Sequence, residues 1–148
     1  MHLFAPEVGF MGSVPIVAAT VPIAVGAALA AKMDDGDAVA VTYFGDGAAE
    51  EGVVHESLNL ASQMNLPVIF VCKNNLYASH RDIAQRQPSD STARFAQANG
   101  IAHAVIDGND VAGTAWTVGE MITTARQGRR AGISRGRHLS LARPCRAG

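Results

Sequence analysis

Apolar and polar positions along this chain fall into blocks whose periods predict a succession of helices and strands. Val14 to Ala31 is uncharged. Within it Thr20 is placed to cap a helix from Val21-Pro22 to Met33, with proline tolerated in the first turn and Asp34-Asp35-Gly36-Asp37 ending it. Its sides are nearly all Ala, Val, Ile and Gly, which predicts burial all round, and Gly26 and Ala30 leave room for a close helix contact. Ala38-Val39-Ala40-Val41-Thr42-Tyr43-Phe44 then reads as a strand buried on both faces, stopping at Gly45-Asp46-Gly47. A second helix is expected from about Ala48 to Asn65, closed by Pro67, and Val68-Ile69-Phe70-Val71-Cys72 is a second buried strand ending at Asn74-Asn75.

The polar stretch from Ser79 to Ser91 reads as a mobile loop. Residues 92–99 suit a helix and Ala102 to Ile106 a third strand, and Asp107-Gly108-Asn109-Asp110 caps a helix to about Gln127. Strand and helix alternating at this spacing predict an α/β fold, a parallel sheet with flanking helices and right-handed crossovers.

Length and composition narrow the function. A chain of 148 residues that is 48% hydrophobic is one ordinary domain, too apolar to be disordered. The formal charge of −1 hides an asymmetry: six of the 12 basic residues, all arginines, fall in 129–148 with no acid, leaving six bases against 13 acids elsewhere. The body is therefore at −7 and the tail at +6. The tail lacks the Lys and interleaved aromatics of a nucleic-acid or membrane anchor, so neither partner is expected. Cys72 and Cys145 make neither a disulfide framework nor a zinc spacing, which points to a reducing compartment. The uncharged run lacks a basic flank and carries Pro15, Pro22 and Gly26, so it is expected to be neither a signal peptide nor a membrane span.

Ligands of a parallel sheet bind at the carboxyl ends of its strands, where both polar clusters fall. Asp46 ends one strand and Asn75 ends the next, one βαβ unit later. One carboxylate with one amide oxygen is a hard-oxygen set suited to Mg²⁺, completed by phosphate and water. Gly45 and Gly47 let backbone approach an anion, and a helix starting near Ala48 aims free N–H groups and its positive dipole end at the same place. Each cluster alone is an ordinary turn; the spacing across a βαβ unit makes a Mg²⁺-diphosphate site the better reading.

Gly45-Asp46-Gly47, 26 intervening residues, then Asn74-Asn75 matches the thiamine-diphosphate fingerprint. The surrounding GDGAAEEGVVHESLNLASQMNLPVIFVCKNNLYA resembles the alpha subunit of the first, decarboxylating component of 2-oxo acid dehydrogenase complexes. The likeness extends upstream through MHLFAPEVGFMGS and IVAATVPIAVGAALA and downstream to DGNDV, over roughly residues 1–128. It implies a partial thiamine-diphosphate-binding domain in which Asp46, the Asn75 side chain and the Tyr77 carbonyl hold Mg²⁺ and the Gly47 and Ala48 amides meet the diphosphate. The backbone around Pro15 and Val17 would face the aminopyrimidine; the family often has Gly where Pro15 stands, and proline keeps only the acceptor role.

The resemblance further implies oxidative decarboxylation of a 2-oxo acid, pyruvate-type favoured, with acyl transfer to a lipoyl group. Its partners would be a beta subunit and a lipoyl-bearing acyltransferase, in a heterotetramer in the bacterial cytosol or mitochondrial matrix. The activating glutamate belongs to the beta subunit, so no catalytic residue is assigned in this chain. The helix from Val21 to Met33 resembles the packing helix of the subunit interface, and His80, Arg81 and Arg86 fall in the family's loop over the active-site channel. His2 is read as part of a first turn, His55 as a packing or solvated residue, and Asp34, Asp35 and Asp37 as a turn. Alternatives are another transketolase-like thiamine enzyme, a basic-tailed binding module, and an inactive truncated chain.

Family alpha subunits are two to three times longer, with an opening segment that has no counterpart before Met1. From Arg129 to Gly148 the chain departs from the pattern and is expected to be irregular. Permitted codons for these residues, read one nucleotide later, give EGPGFLEAVTYRWRGHVG, which resembles the family's next strand and Gly-His segment. A frameshift near Gly128 is the expectation, and the nucleotide sequence decides it.

Overall fold

The computed structural model describes residues 3–130 and 138–143. Six elements carry the architecture up to the second strand and the loop beyond it: helix α1, Thr20–Met33; strand β1, Ala40–Gly45; helix α2, Gly52–Met64; strand β2, Val68–Lys73; and a short hairpin of β3, Tyr77–Ala78, with β4, Arg81–Asp82. Helix α3, Ala93–Ala98, strand β5, Ala102–Asp107, helix α4, Val111–Arg130, and strand β6, His138–Arg143, complete it. Four parallel strands form the main sheet in the order β1-β2-β6-β5. The expected α/β class, with a parallel sheet and flanking helices, is what the chain adopts.

Alternation along β2 explains the two layers. Val68, Phe70 and Cys72 point into a core with Val21, Val25 and Ala28 of α1 and Val54, Leu58 and Ala61 of α2. Ile69 and Val71 point to the opposite face and meet Met121 and Ala125 of α4. With Phe70 1% and Ile69 0% exposed, truncating Phe70 to Ala would cost roughly 3–5 kcal/mol through lost transfer energy and a cavity.

Five local expectations are corrected. Thr20 does not cap α1: the helix starts at Thr20 behind Ala19, whose side chain makes no cap bond, after the chain turns through a left-handed Ala18 (φ 63°), and the Thr20 hydroxyl instead accepts from Thr42 Oγ1 at 3.4 Å. Only one stripe of α1 is buried; Ile23, Gly26 and Ala30 are exposed, because the helix packs on β1 and α2 from one side. The β1 strand is covered on one face only. It is an edge strand of the described sheet, and Val41 and Tyr43 face away from α1.

The helix expected from Ala48 breaks into a 3-10 turn, Ala48–Glu50, and α2 proper, with Glu51 extended between them. That break detaches Glu50 from the helix so that it can reach the loop opposite. The stretch from Ser79 to Ser91 is not featureless. It holds β4 and a 3-10 turn, Ile83–Gln85, whose Ile83 is buried and whose Asp82 side chain accepts from the Ala84 amide at 2.8 Å.

The tail is regular where it is described: α4 runs through Arg130, and β6 lies between β2 and β5. His138-Leu139-Ser140-Leu141 alternates polar and apolar residues, the period a strand requires. The Met1-His2 segment, residues 131–137 and 144–148, Cys145 among them, lie outside the described residues. Among the described residues no helix is long and apolar enough to cross a membrane.

Candidate functional site

Register places the two polar clusters side by side. Gly45, the last residue of β1, pairs with Lys73, the last of β2, so Asp46 and Asn74-Asn75 leave the carboxyl ends of adjacent parallel strands together. The hairpin that follows is folded back over this corner. Gly47 has helical dihedrals (φ −66°, ψ −38°), so it is not required for its conformation; a Cβ there would lie 2.7 Å from the Ala78 Cβ, and it is that close approach which excludes a side chain. Gly45 has no such neighbour, its nearest atom to an added Cβ being the Lys73 carbonyl oxygen at 4.0 Å.

The two asparagines divide the work of shaping the loop. Asn74 is buried; its Nδ2 donates to the Asp90 carbonyl at 2.8 Å and its Oδ1 accepts from the Leu76 amide at 2.9 Å. Asn75 is exposed, and its Oδ1 accepts from the Tyr77 amide at 3.1 Å, with a left-handed Leu76 (φ 67°) between them. An amide oxygen has two lone pairs, so one remains for a cation. Tyr77 is itself half exposed in β3, with Ala48 starting the 3-10 turn next to Gly47. Pro15 and Val17 stand exposed in the turn before α1 and, among the described residues, share no hydrogen bond with the Asp46 cluster.

Asp46 is the centre of an ion-paired network that the sequence reading missed. Its side chain is 2% exposed, and Oδ2 accepts from Arg86 Nη2 at 2.6 Å. The other guanidinium nitrogen of Arg86 binds Glu50 Oε1. Gln87, also buried, donates through Nε2 to Glu50 Oε1 at 2.7 Å and to the Asp46 carbonyl at 3.3 Å, and accepts from Arg94 Nη2 at 2.7 Å. Burial works against the Arg86 charge, but its bond to Asp46 and the attraction of Glu50 and Asp46 outweigh it and hold the proton more tightly than usual. Nothing in the linear pattern joins Glu50 to the Arg86-Gln87 pair; only the folded loop does.

A diphosphate-bound cation fits these residues. Asp46 Oδ1 is buried and has no hydrogen-bond partner among the described residues, which is costly for a carboxylate oxygen unless a ligand meets it. Among the described residues no three His, Cys, Asp or Glu side chains cluster to hold a metal. The oxygens on offer at this corner, one carboxylate with amide and carbonyl oxygens, would suit Mg²⁺ completed by phosphate better than a transition metal. The helix dipole bears less on this corner than the sequence implied, because the full helix begins at Gly52 and only a 3-10 turn follows Gly47.

His55, His103 and Cys72 have local partners. His55 packs edge-on against Phe95 at 4.6 Å, with Arg94 over the same ring at 4.2 Å. His103 Nε2 lies 3.2 Å from Gln97, and His80 is exposed. Burial pushes the Cys72 thiol from 9.0 up to about 11, with a bond from Thr92 opposing and nearby Asp46 adding to the rise.

Comparison with known proteins gives a consistent picture. A sequence profile described as "Dehydrogenase E1 component" matches residues 1–131. The chain is similar to the alpha subunit of acetoin:2,6-dichlorophenolindophenol oxidoreductase of Cupriavidus necator, 41% identical over 128 residues that cover 86% of this chain and 38% of that one. It is also similar to the pyruvate dehydrogenase E1 component subunit alpha of Rhizobium meliloti, 35% identical over 87% of this chain and 37% of that one. The mitochondrial 2-oxoisovalerate dehydrogenase subunit alpha 2 of Arabidopsis thaliana is 40% identical over 74% of this chain and 23% of its own length. The chain thus spans well under half the length of these curated relatives. Among solved structures the fold is shared with transketolase from Campylobacter jejuni, TM-score 0.63 at 22% identity, covering 89% of this chain and 20% of that one.

Proposed function

The chain belongs to the dehydrogenase E1 component family, and from that premise we propose that it supplies the alpha-subunit half of a Mg²⁺–thiamine diphosphate site for oxidative decarboxylation of a 2-oxo acid. The observation that carries the proposal is the buried Asp46 carboxylate, with one oxygen held by Arg86 and the other without a partner, at the carboxyl end of β1 beside Asn74-Asn75. In this reading Asp46, the Asn75 side chain and the Tyr77 carbonyl hold the cation, the Gly47 and Ala48 amides meet the diphosphate, and Pro15 and Val17 line the pyrimidine side. Thiamine diphosphate, when bound, supplies the electron sink for loss of CO₂. This chain's own share is to bind the cofactor's charged end, orient it and shield it under the Tyr77–Gln87 hairpin and turn.

The reading extends to a beta subunit that completes the site and supplies the activating glutamate, and to a lipoyl-bearing acyltransferase that takes the acyl group, within a heterotetramer in a bacterial cytosol or a mitochondrial matrix. The exposed Ile23, Gly26 and Ala30 edge of α1 is one surface of this chain suited to such a subunit. Acetoin, pyruvate and 2-oxoisovalerate are the substrates that the relatives' names carry, and pyruvate is the first to test. The experiment is co-expression with a family beta subunit, then assay of reduction of an artificial electron acceptor with pyruvate, a branched-chain 2-oxo acid and acetoin, together with CO₂ release from the two acids. Turnover that requires Mg²⁺ and thiamine diphosphate supports the proposal; no cofactor-dependent turnover from any of them, in an assembly shown to be intact, refutes it.

A further inference from the structure

Arg86 and Gln87 grip one residue twice. Arg86 Nη2 holds Asp46 Oδ2 at 2.6 Å, and Gln87 Nε2 holds the Asp46 carbonyl at 3.3 Å. An Arg facing a carboxylate commonly binds it with both fork nitrogens. Here the fork is split: the second nitrogen goes to Glu50, and Asp46 Oδ1 is left without a partner although the side chain is 2% exposed. Pinning one oxygen of a short side chain fixes its rotamer and aims the other oxygen in one direction. Glu50 meanwhile balances the guanidinium, so two carboxylates face one cation and the site keeps its attraction for a metal. Gln87 locks the pair in turn, since it touches Glu50 at 2.7 Å and is itself held by Arg94 at 2.7 Å.

We propose that Arg86 is a positioning residue for the metal ligand: it fixes Asp46 Oδ2, with Glu50 as counter-charge, so that Oδ1 is presented to a divalent cation. The inference rests on the reading of Asp46 as a Mg²⁺ ligand. Outer partners that orient a ligating carboxylate typically contribute about 10–100-fold to metal affinity.

The test uses Mn²⁺ as the probe on the chain assembled with a beta subunit in the presence of thiamine diphosphate, comparing the unsubstituted protein with Arg86→Met and Arg86→Lys, and reading both the free Mn²⁺ and the line shape of bound Mn²⁺ by EPR. Arg86→Met is expected to weaken Mn²⁺ binding by roughly tenfold or more and to broaden the bound signal, with far-UV circular dichroism unchanged. Arg86→Lys, which keeps the charge but loses the fork, is expected to fall between the two. Equal or tighter Mn²⁺ binding by Arg86→Met would overturn the proposal and make Arg86 a competitor for the carboxylate. Should Arg86→Met fail to fold, Arg86→Lys decides by the same criterion. Absence of Mn²⁺ binding by the unsubstituted assembly would overturn the metal reading of Asp46 itself, and this one with it.

Discussion

Replacing Gly47 by alanine separates two explanations of the glycine beside Asp46. On the conformational explanation alanine is harmless, because φ −66° and ψ −38° are ordinary helical values. On the packing explanation the new Cβ sits 2.7 Å from the Ala78 Cβ, against 3.4–4 Å for ordinary contact, so β3 must move. Overpacking of this kind costs about 1–3 kcal/mol, while the stiffer unfolded chain returns roughly 0.4–1 kcal/mol. The expected net loss is then about 1–2 kcal/mol. The control is Ala78→Gly, which alone costs roughly 0.5–1 kcal/mol as a glycine in a strand but removes the clash when combined with Gly47→Ala. Urea unfolding of the four proteins measures the coupling. The double variant is expected close to the unsubstituted protein and more stable than Gly47→Ala. Strictly additive losses, or a Gly47→Ala protein as stable as the parent, would refute the packing argument.

Other outcomes follow from buried groups near the site. Cys72, held neutral by burial with its thiol at about 11 against 9.0 unfolded, should resist iodoacetamide at neutral pH in the native chain and react on denaturation. Because its folded value is raised, its contribution to stability is complete below about pH 9 and is lost as pH rises through about 11, a change on the order of 2–3 kcal/mol that Cys72→Ser should remove from the alkaline unfolding profile. Asn74→Ala strands the Leu76 amide and the Asp90 carbonyl, and should cost roughly 1–3 kcal/mol and speed tryptic cleavage at exposed Arg81; an unchanged cleavage rate would mean the loop is anchored elsewhere.

Much of the framework was legible because period and burial coincide. Strand β2 reads as a continuous apolar run and is buried on both faces, and the Asp110 cap is visible in Asp107-Gly108-Asn109-Asp110, whose last side chain accepts from the Gly113 amide at 2.9 Å. Burial of β1 and α1 was over-read, since an apolar residue in a sequence does not say whether a neighbour exists to cover it, and Val41, Tyr43 and Ile23 have none among the described residues. Asp46 and the Asn74-Asn75 pair were visible because each ends a strand, where polar residues interrupt an apolar run. Arg86, Gln87 and Glu50 were not, because the bonds from Arg86 and Gln87 to Asp46 and Glu50 join positions about forty residues apart through a loop whose polar composition looks like solvent exposure. Strand β6 was not legible within the Arg-rich 129–148 stretch, where the four-residue alternation His138-Leu139-Ser140-Leu141 is too short to stand out as a period.

The central claim is that Asp46 holds the cation through which thiamine diphosphate is bound. The measurement is calorimetric titration of thiamine diphosphate into the chain assembled with a beta subunit, with Mg²⁺ and with the metal chelated, for the unsubstituted protein and for Asp46→Asn. Saturable binding that requires Mg²⁺ and is abolished by Asp46→Asn, with the assembly intact, is the predicted result. Equal affinity for the two proteins, or binding indifferent to Mg²⁺, would contradict the account.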